Sequence, residues 1–564
     1  MTGRLFFILA VTGWLLPAHA TADRRDSTET ARNNRMEDIV VTGTRNGSDM
    51  RHLSQTVSVI GRKTIEESMQ PSLLTILTEQ VPGLFTTRRG VMGYGVSGGA
   101  AGNISLRGLS GGAAQMLVLV DGHPQYAGIF GHPVSDACQS MLADKVEVLR
   151  GPASVLYGSN AMGGVINIVT RRMRKDGTHT DIRAGYGSYN TLETELTNTV
   201  RRGRFSSVVS GSYNRTDGHR NDMEFGQYGG YAKVGYDMAK NWNIYADINL
   251  THFDASYPGS VSEPLADGDQ SITRGTASVS VGNDYGRTSG ALTFFYNWGN
   301  HLINDGYTPS LGERPRDDRF RSRDDMMGMS WYQSVRLFRG NLTTAGFDWF
   351  RYGGEARTEY VSGAQAGTHS GIADRHENEW AGYVDVRQHA GHRLTLNAGV
   401  RIDSHSRTGT EWVPQAGIAL HLPHGMELKA SAAKGFRYPT LREMHMFRPK
   451  NPDLKPESMW TYEISMRQSV MEGRLSYGVN VFYIDGRNLI LTLPNPNGSG
   501  MLNQNSGKID NTGVELQAMW HIDTSWSVDA NYSYLHMKNP VVAAPQHKLY
   551  AGARFKKGRR GVFT

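Results

Sequence analysis

The stretch Lys145–Thr170, KVEVLRGPASVLYGSNAMGGVINIVT, decides how the rest of the chain is read. Val146, Val148 and Leu149 make one apolar run and Val165 to Val169 a second, both rich in the β-branched residues that suit a buried strand. Between them Arg150-Gly151-Pro152 forces a turn, because proline fixes its own φ and has no amide proton to give a ladder. Gly158, Gly163 and Gly164 allow backbone geometries and close approaches that a Cβ would forbid. Two buried strands joined through a glycine-rich corner describe the end of an α/β unit.

Outward from this stretch, the chain of 564 residues exceeds one ordinary hydrophobic core, so at least two structural units are expected. Its 66 glycines, 25 tyrosines and 38% hydrophobic residues do not suit a helical membrane protein, and one cysteine, Cys138, cannot staple a secreted domain. At the N-terminus Arg4, the apolar run Leu5–Val11 with Trp14-Leu15-Leu16, and Pro17-Ala18-His19-Ala20 read as the n-region, h-region and cleavage site of a signal peptide over residues 1–20. The net charge of +7 is spread among acidic residues rather than gathered on one face, which argues against nucleic acid. The basic run Arg314 to Arg323 suits the phosphates of a lipid surface instead.

Residues 21–35 lack apolar periodicity and read as a flexible leader. Asp38-Ile39-Val40-Val41-Thr42 follows as an isolated β-prone run, able to complete a partner's sheet edge through main-chain hydrogen bonds. From Val57 to Thr170 helical and strand signals mix: a helical stretch Ile65–Gln80, then Val81-Pro82-Gly83-Leu84, Ile104-Ser105-Leu106-Arg107-Gly108, and Leu117-Val118-Leu119-Val120-Asp121-Gly122. Beyond residue 175 the period becomes two. Trp242, Ile244, Ala246, Ile248 and Leu250 alternate with polar neighbours, as do Leu394 to Ile402 and Val528 to Tyr534. Such strands put apolar side chains to lipid and polar ones to a lumen, and closure removes the edges lipid cannot satisfy.

Taken in order, these segments resemble the plug domain and barrel of TonB-dependent outer-membrane receptors, and Asp38 to Thr42 resembles the TonB box. The resemblance implies a transmembrane antiparallel β-barrel with an N-terminal α/β plug inside it: residues 1–20 signal peptide, 21–46 flexible leader with the box, 47–175 plug, 176–564 barrel. Arg107, Gly108, Asp121, Gly122, Arg150, Gly151, Pro152, Tyr157 and Gly158 are the matching plug-motif residues. The family closes 22 strands, so this barrel is expected to lack its last strands. The implied function is TonB-dependent import of a scarce metal complex across the outer membrane of a Gram-negative cell, driven through TonB and its proton-powered motor. A ferric siderophore is the expected cargo, with haem or cobalamin as alternatives. The competing class is a passive porin, which would need neither plug nor box.

No enzyme centre is expected, since no GxxxxGK loop or HExxH pair occurs and the Gly93–Gly102 cluster lacks the strand, helix and acid of a dinucleotide fingerprint. No resident cofactor is expected either. Ligand contacts are expected from two plug loops, through Arg88, Arg89 and Tyr94 in one and His123, Tyr126, Phe130 and His132 in the other. Gly435–Leu441 and Asn451–Glu457 resemble the paired FRAP and NPNL boxes, with Tyr438 and Asp453 as departures. Haem receptors of the family carry a histidine between those boxes, where His445 stands; the usual plug histidine is missing, and His132 is the candidate to replace it. Met444 and Met446 beside His445 suit packing, haem or a soft metal ion.

Overall fold

The two apolar runs of the deciding stretch pair with each other: Ala143–Arg150 lies antiparallel to Gly164–Thr170, with Leu149 opposite Val165. A one-turn helix, Ser154–Tyr157, occupies the corner between them. The computed structural model describes residues 39–40, 42–43, 45, 47–95, 102–110, 114–556 and 562–563; the signal segment 1–20, Asp38 and Val41 lie outside the described residues. A five-stranded sheet runs in the order Thr56–Gly61, Ala143–Arg150, Gly164–Thr170, Leu117–Val120, His123–Pro124, so that Thr56–Gly61 is an edge.

The expected helical stretch Ile65–Gln80 is corrected to two helices, Arg62–Ser68 and Leu73–Gln80. Pro71 has no amide proton to continue the first helix, which closes on Met69 in the left-handed region, φ 52°. Ser72 then caps the second by accepting from the Leu74 amide. Leu73, Leu74, Ile76 and Leu77 pack with Val146, Val148, Ile166 and Ile168 in the principal core. Each of these leucines, removed from water, contributes about 1.5–3 kcal/mol.

From Gly177, nineteen strands follow among the described residues in one antiparallel sheet in strict chain order, the last of these being the two residues Val562–Phe563. The polarity is inverted relative to a water-soluble sheet. In Trp242–Ser256, Ile248 and Leu250 are exposed while Asp247, Asn249 and Thr251 are buried. In Leu394–His405, Leu396, Val400 and Ile402 face out while Thr395, Arg401 and Asp403 face in. Lipid outside and a packed polar interior account for both faces. Among the described residues no helix is long and apolar enough to cross a membrane.

Connections at the two ends differ. The end where Gly177 enters has short turns, such as Gly203-Arg204 and Lys240-Asn241, whereas the other carries long loops, including residues 438–456 with the helix Leu441–His445. By the usual asymmetry of such barrels the long-loop end faces outward. The plug touches the wall from first long strand to last. Arg183 donates to Ser140, Asn297 to the Pro124 carbonyl, the Gly128 amide to Asp324, and Gln80 to Tyr550. The α/β unit therefore sits inside the curved sheet. Among the described residues no ladder joins Gly177–Gly187 to the far end of that sheet.

Candidate functional site

Two polar junctions tie plug to wall, and a third set of contacts fixes the N-terminal segment. The first junction is built on Arg107 and Arg150. Arg107 grips Glu515 with two nitrogens at 2.9 Å each and Glu463 at 2.7 Å, and Arg150 reaches the same Glu515 at 2.7 Å. Asn480 and Thr56 complete the acceptor sites of the two carboxylates. All four charged side chains are buried, and the Phe482 ring lies 4.3 Å from the Arg107 guanidinium. Such a cluster is stable only while every partner is present. The Arg107 guanidinium is held strongly protonated by Glu515 and Glu463 against the cost of burial.

Sequence reasoning found the two arginines and missed Glu463, Glu515 and Phe482. The available signal was a carboxylate at the inward register of an otherwise lipid-facing strand.

The other motif residues are structural parts of this seam. Asp121 takes Lys233 at 2.6 Å and both the amide and hydroxyl of Thr170, and the Gly122 amide donates to Asn167. The Pro152 carbonyl accepts from Gln55, next to Gly151. Tyr157 is buried beneath the Arg45 guanidinium, 4.1 Å away. Gly158 and Gly108 both have positive φ, and a Cβ on Gly158 would lie 2.7 Å from Arg401. That contact lets the helix Ser154–Tyr157 reach the wall.

The N-terminal segment corrects one expectation. Ile39–Val40 pairs with Ser48–Asp49, Val40 is fully buried, and Thr42 donates its amide and hydroxyl to Glu147 at 2.8 and 2.5 Å. Asn167 adds a bond to the Thr42 hydroxyl. The described part of the box is thus docked on the plug rather than free on a tether, because Val40 finds a core. Arg45 extends the attachment to the carbonyls of Gly122 and Leu156.

The second junction lies at the long-loop end. The plug loop Asp121–Pro133 meets the wall loop 438–456: the Arg442 amide donates to the Ile129 carbonyl, and Leu441, Met444 and Leu454 pack on Ile129. The loop is rigid for local reasons. Thr440 and Glu443 form a capping box on Leu441–His445, and Arg437 holds both Glu443 and Glu457 at 2.6–2.8 Å. Tyr438 donates to the Asp403 carbonyl, and its amide donates to Ser159. The FRAP-like and NPNL-like boxes therefore bind the loop to the plug.

Placement divides the ligand candidates. Arg88 is exposed near the outer rim, and Arg89 bonds the Ser256 carbonyl and stacks on Tyr257 in an outer loop. Phe130 and His132 are half-buried, with Phe130 stacked on His301 at 5.3 Å. His132 Nδ1 lies 3.0 Å from its neighbour's carbonyl, and burial pushes its pKa down to about 4. His445 is 8% exposed and its Nε2 has no hydrogen-bond partner among the described residues.

Three candidates are corrected. Tyr94 belongs to the plug core, its hydroxyl 3.1 Å from Thr75. His123 is buried and stacks on Phe295 of the wall, and Tyr126 is buried edge-on to Tyr352. His123 and Tyr126 face the packed wall and Tyr94 the plug's own core, so none of the three is open to a ligand in this arrangement. Met444 is wholly buried among apolar side chains, which makes it packing.

Around His445 the charges are mostly positive. Burial first, then Arg407, Arg375 and Lys450, lower its pKa, with Glu377 opposing them. Arg407 is paired with Glu377 at 3.0 Å, whereas Arg375, Arg442 and Lys450 stand exposed at the outer end.

This architecture matches known families over nearly its whole length. Residues 176–564 match the family described as TonB dependent receptor-like, beta-barrel, and residues 49–165 match the TonB-dependent receptor plug domain. The chain belongs to the TonB-dependent receptors. Solved structures agree in fold. The ferripyoverdine receptor of the outer membrane of Pseudomonas aeruginosa is similar at TM-score 0.76 and 16% identity, over 92% of this chain and 76% of that one. The alcaligin outer-membrane receptor FauA from Bordetella pertussis is similar at 0.71 and 17%, over 93% and 88%. The copper transporter OprC is similar at 0.74 and 16%, over 89% and 84%. Family membership implies an outer-membrane location, dependence on TonB and a small-molecule ligand. The family consists of transporters and receptors rather than enzymes.

Proposed function

We propose that this receptor imports a ferric siderophore of net negative charge, captured at the long-loop end and released inward when TonB draws on the box. The observation that carries the cargo class is the cationic surround of His445: Arg375, Arg442 and Lys450, with Arg407 behind them, against Glu377. An excess of positive charge at the outer end favours an anion and offers nothing to neutral cobalamin. Named functions of similar folds at 16–17% identity give direction only.

Energy would enter from the proton-driven motor through Ile39 to Thr42. A pull there acts on the Thr42–Glu147 bonds and then on Arg45, whose side chain reaches the helix Ser154–Tyr157. The Arg107–Arg150 junction with Glu463 and Glu515 would hold the rest of the plug in place.

Quenching of tryptophan fluorescence by a ferric tris-catecholate tests the reading. The double variant Arg375→Ala/Lys450→Ala is expected to weaken binding at least tenfold, and raised salt to weaken the wild type. Equal affinities in variant and wild type would remove the anionic-cargo reading. Haem is the second reading, favoured by the unpartnered His445 Nε2 and by His132 across the same junction. An unchanged Soret band in His132→Ala/His445→Ala would dismiss that pair as its ligands.

A further inference from the structure

Where the N-terminal segment leaves the box it crosses the short-turn end of the wall, and there three imidazoles meet. His52 lies in the turn Met50–His52, His389 near the end of His369–Ala390, and His421 near the end of Gly409–Leu422. The rings of His389 and His421 stand 4.4 and 4.7 Å from that of His52. One oxygen, the hydroxyl of Thr395, has a nitrogen of each within reach: His389 Nδ1 at 2.9 Å, His52 Nδ1 at 3.3 Å and His421 Nε2 at 3.4 Å. His52 Nδ1 and His421 Nε2 are 3.1 Å apart. Three histidines invite a metal, but among the described residues no three His, Cys, Asp or Glu side chains are grouped to hold one.

We infer that this histidine cluster is a proton-sensitive clamp on the plug segment that follows the TonB box. The inference concerns regulation of import and stands apart from the identity of the cargo. Its logic is the 3.1 Å contact between two ring nitrogens. One of them can donate to the other only while the acceptor carries no proton. A doubly protonated pair would set two N–H groups head to head.

The surroundings do not relieve that repulsion. Asp49 and Arg51 face the cluster from the plug segment itself, already paired with each other at 2.5 Å. Arg387 faces it from the strand of His389, and Glu427 and Lys429 from Met426–Arg437, 3.7 Å apart. Two carboxylates thus answer three cations before any imidazole is charged.

Burial first, then His389 and His421, lower the His52 pKa from 6.5 to about 4. A histidine with a depressed pKa when docked binds fewer protons docked than free. The clamp is therefore fully closed above pH 6.5 and weakens as pH falls from there toward 4. Neighbouring bonds of the segment carry no titrating donor in this range: Lys429 to the Met50 carbonyl, Ser54 to Asn397, Gln55 to Gln415. The next element, the edge strand Thr56–Gly61, lines a cavity of about 390 Å³ against the wall. Loosening His52 acts on the segment that restrains that strand, so acid conditions would lower the work TonB must do.

The test uses the full chain in lipid vesicles with a nitroxide attached at Gly47→Cys, beside the clamp, and follows its spectrum between pH 7.5 and 4.5. A reversible gain of a mobile component below pH 6.5 is expected, and its loss in His389→Gln/His421→Gln. If that double variant loses heat-modifiable migration and so fails to fold, His52→Gln gives the same readout with the wall intact. A wild-type spectrum that does not change with pH overturns the clamp, and so does an unchanged transition in the folded variant. No cargo enters the experiment, so its failure leaves the import reading untouched.

Discussion

Leu74 in the plug and Asp247 in the wall are both buried, for opposite reasons. Leu74 is buried because water expels it, and it packs among Ile76, Leu77 and Val148. Asp247 is buried because its strand turns Ile248 and Leu250 toward lipid, leaving the carboxylate to find Ser278 at 2.5 Å inside. One unit has a dry interior and a polar outside, and the other has the reverse. Where they meet, the plug's outside faces the wall's inside, and the interface combines apolar patches, such as Leu119, Leu149 and Val165 with Phe295 and Phe350, with polar bonds, of which Arg107, Arg150, Glu463 and Glu515 are the densest group. The polar share of that interface can be exchanged for water when the plug moves, without exposing its own core. A purely apolar contact would resist such movement and expose greasy surface when broken.

The largest expected effect tests that interface. Glu515→Ala strands two buried guanidiniums and should weaken docking of the plug by about 3–5 kcal/mol, read as a lowered urea midpoint for plug release. Glu515→Gln keeps one acceptor oxygen for the two guanidiniums and should cost less than the alanine, and equal losses would show that the remaining hydrogen bond contributes nothing to the seam. Next comes the contrast itself. Leu74→Ala should destabilise the plug by about 2–5 kcal/mol through a core cavity, while Ile248→Arg should cost the wall about 2–4 kcal/mol if that face meets the bilayer midplane. Unfolding in lipid vesicles measures both, and a harmless Ile248→Arg would break the assignment of the outward face. Smallest is Thr440→Ala, which removes the cap of Leu441–His445 and should cost about 1 kcal/mol. It would appear as faster amide exchange in that helix, with ligand affinity reduced only through the looser loop.

Much of the fold was legible because strand period and turn chemistry are local. Val146 to Leu149 and Val165 to Val169 pair as their apolar runs require, and the alternation from Trp242 to Leu250 reports a lipid-facing strand. The apolar period across Ile65–Gln80 predicts one helix, and Pro71 divides it in two. In the candidate site the loops were legible and their facing was not. Tyr94, His123 and Tyr126 carry the chemistry of binding residues, yet the same local sequence is compatible with a loop side chain turned inward or outward. His52 stands more than three hundred positions from His389 and His421 and gives no local sign of meeting them.

By itself the sequence determined the two kinds of unit, their order and the inverted polarity of the wall, since each follows from side-chain period and composition within a short window. Only the tertiary structure decided that Arg107 meets Glu515, that Thr42 is held by Glu147, and that three histidines share the Thr395 hydroxyl. Those contacts depend on how the plug is rotated within the wall, and that rotation is fixed by the sum of many long-range polar bonds rather than by any one segment of chain.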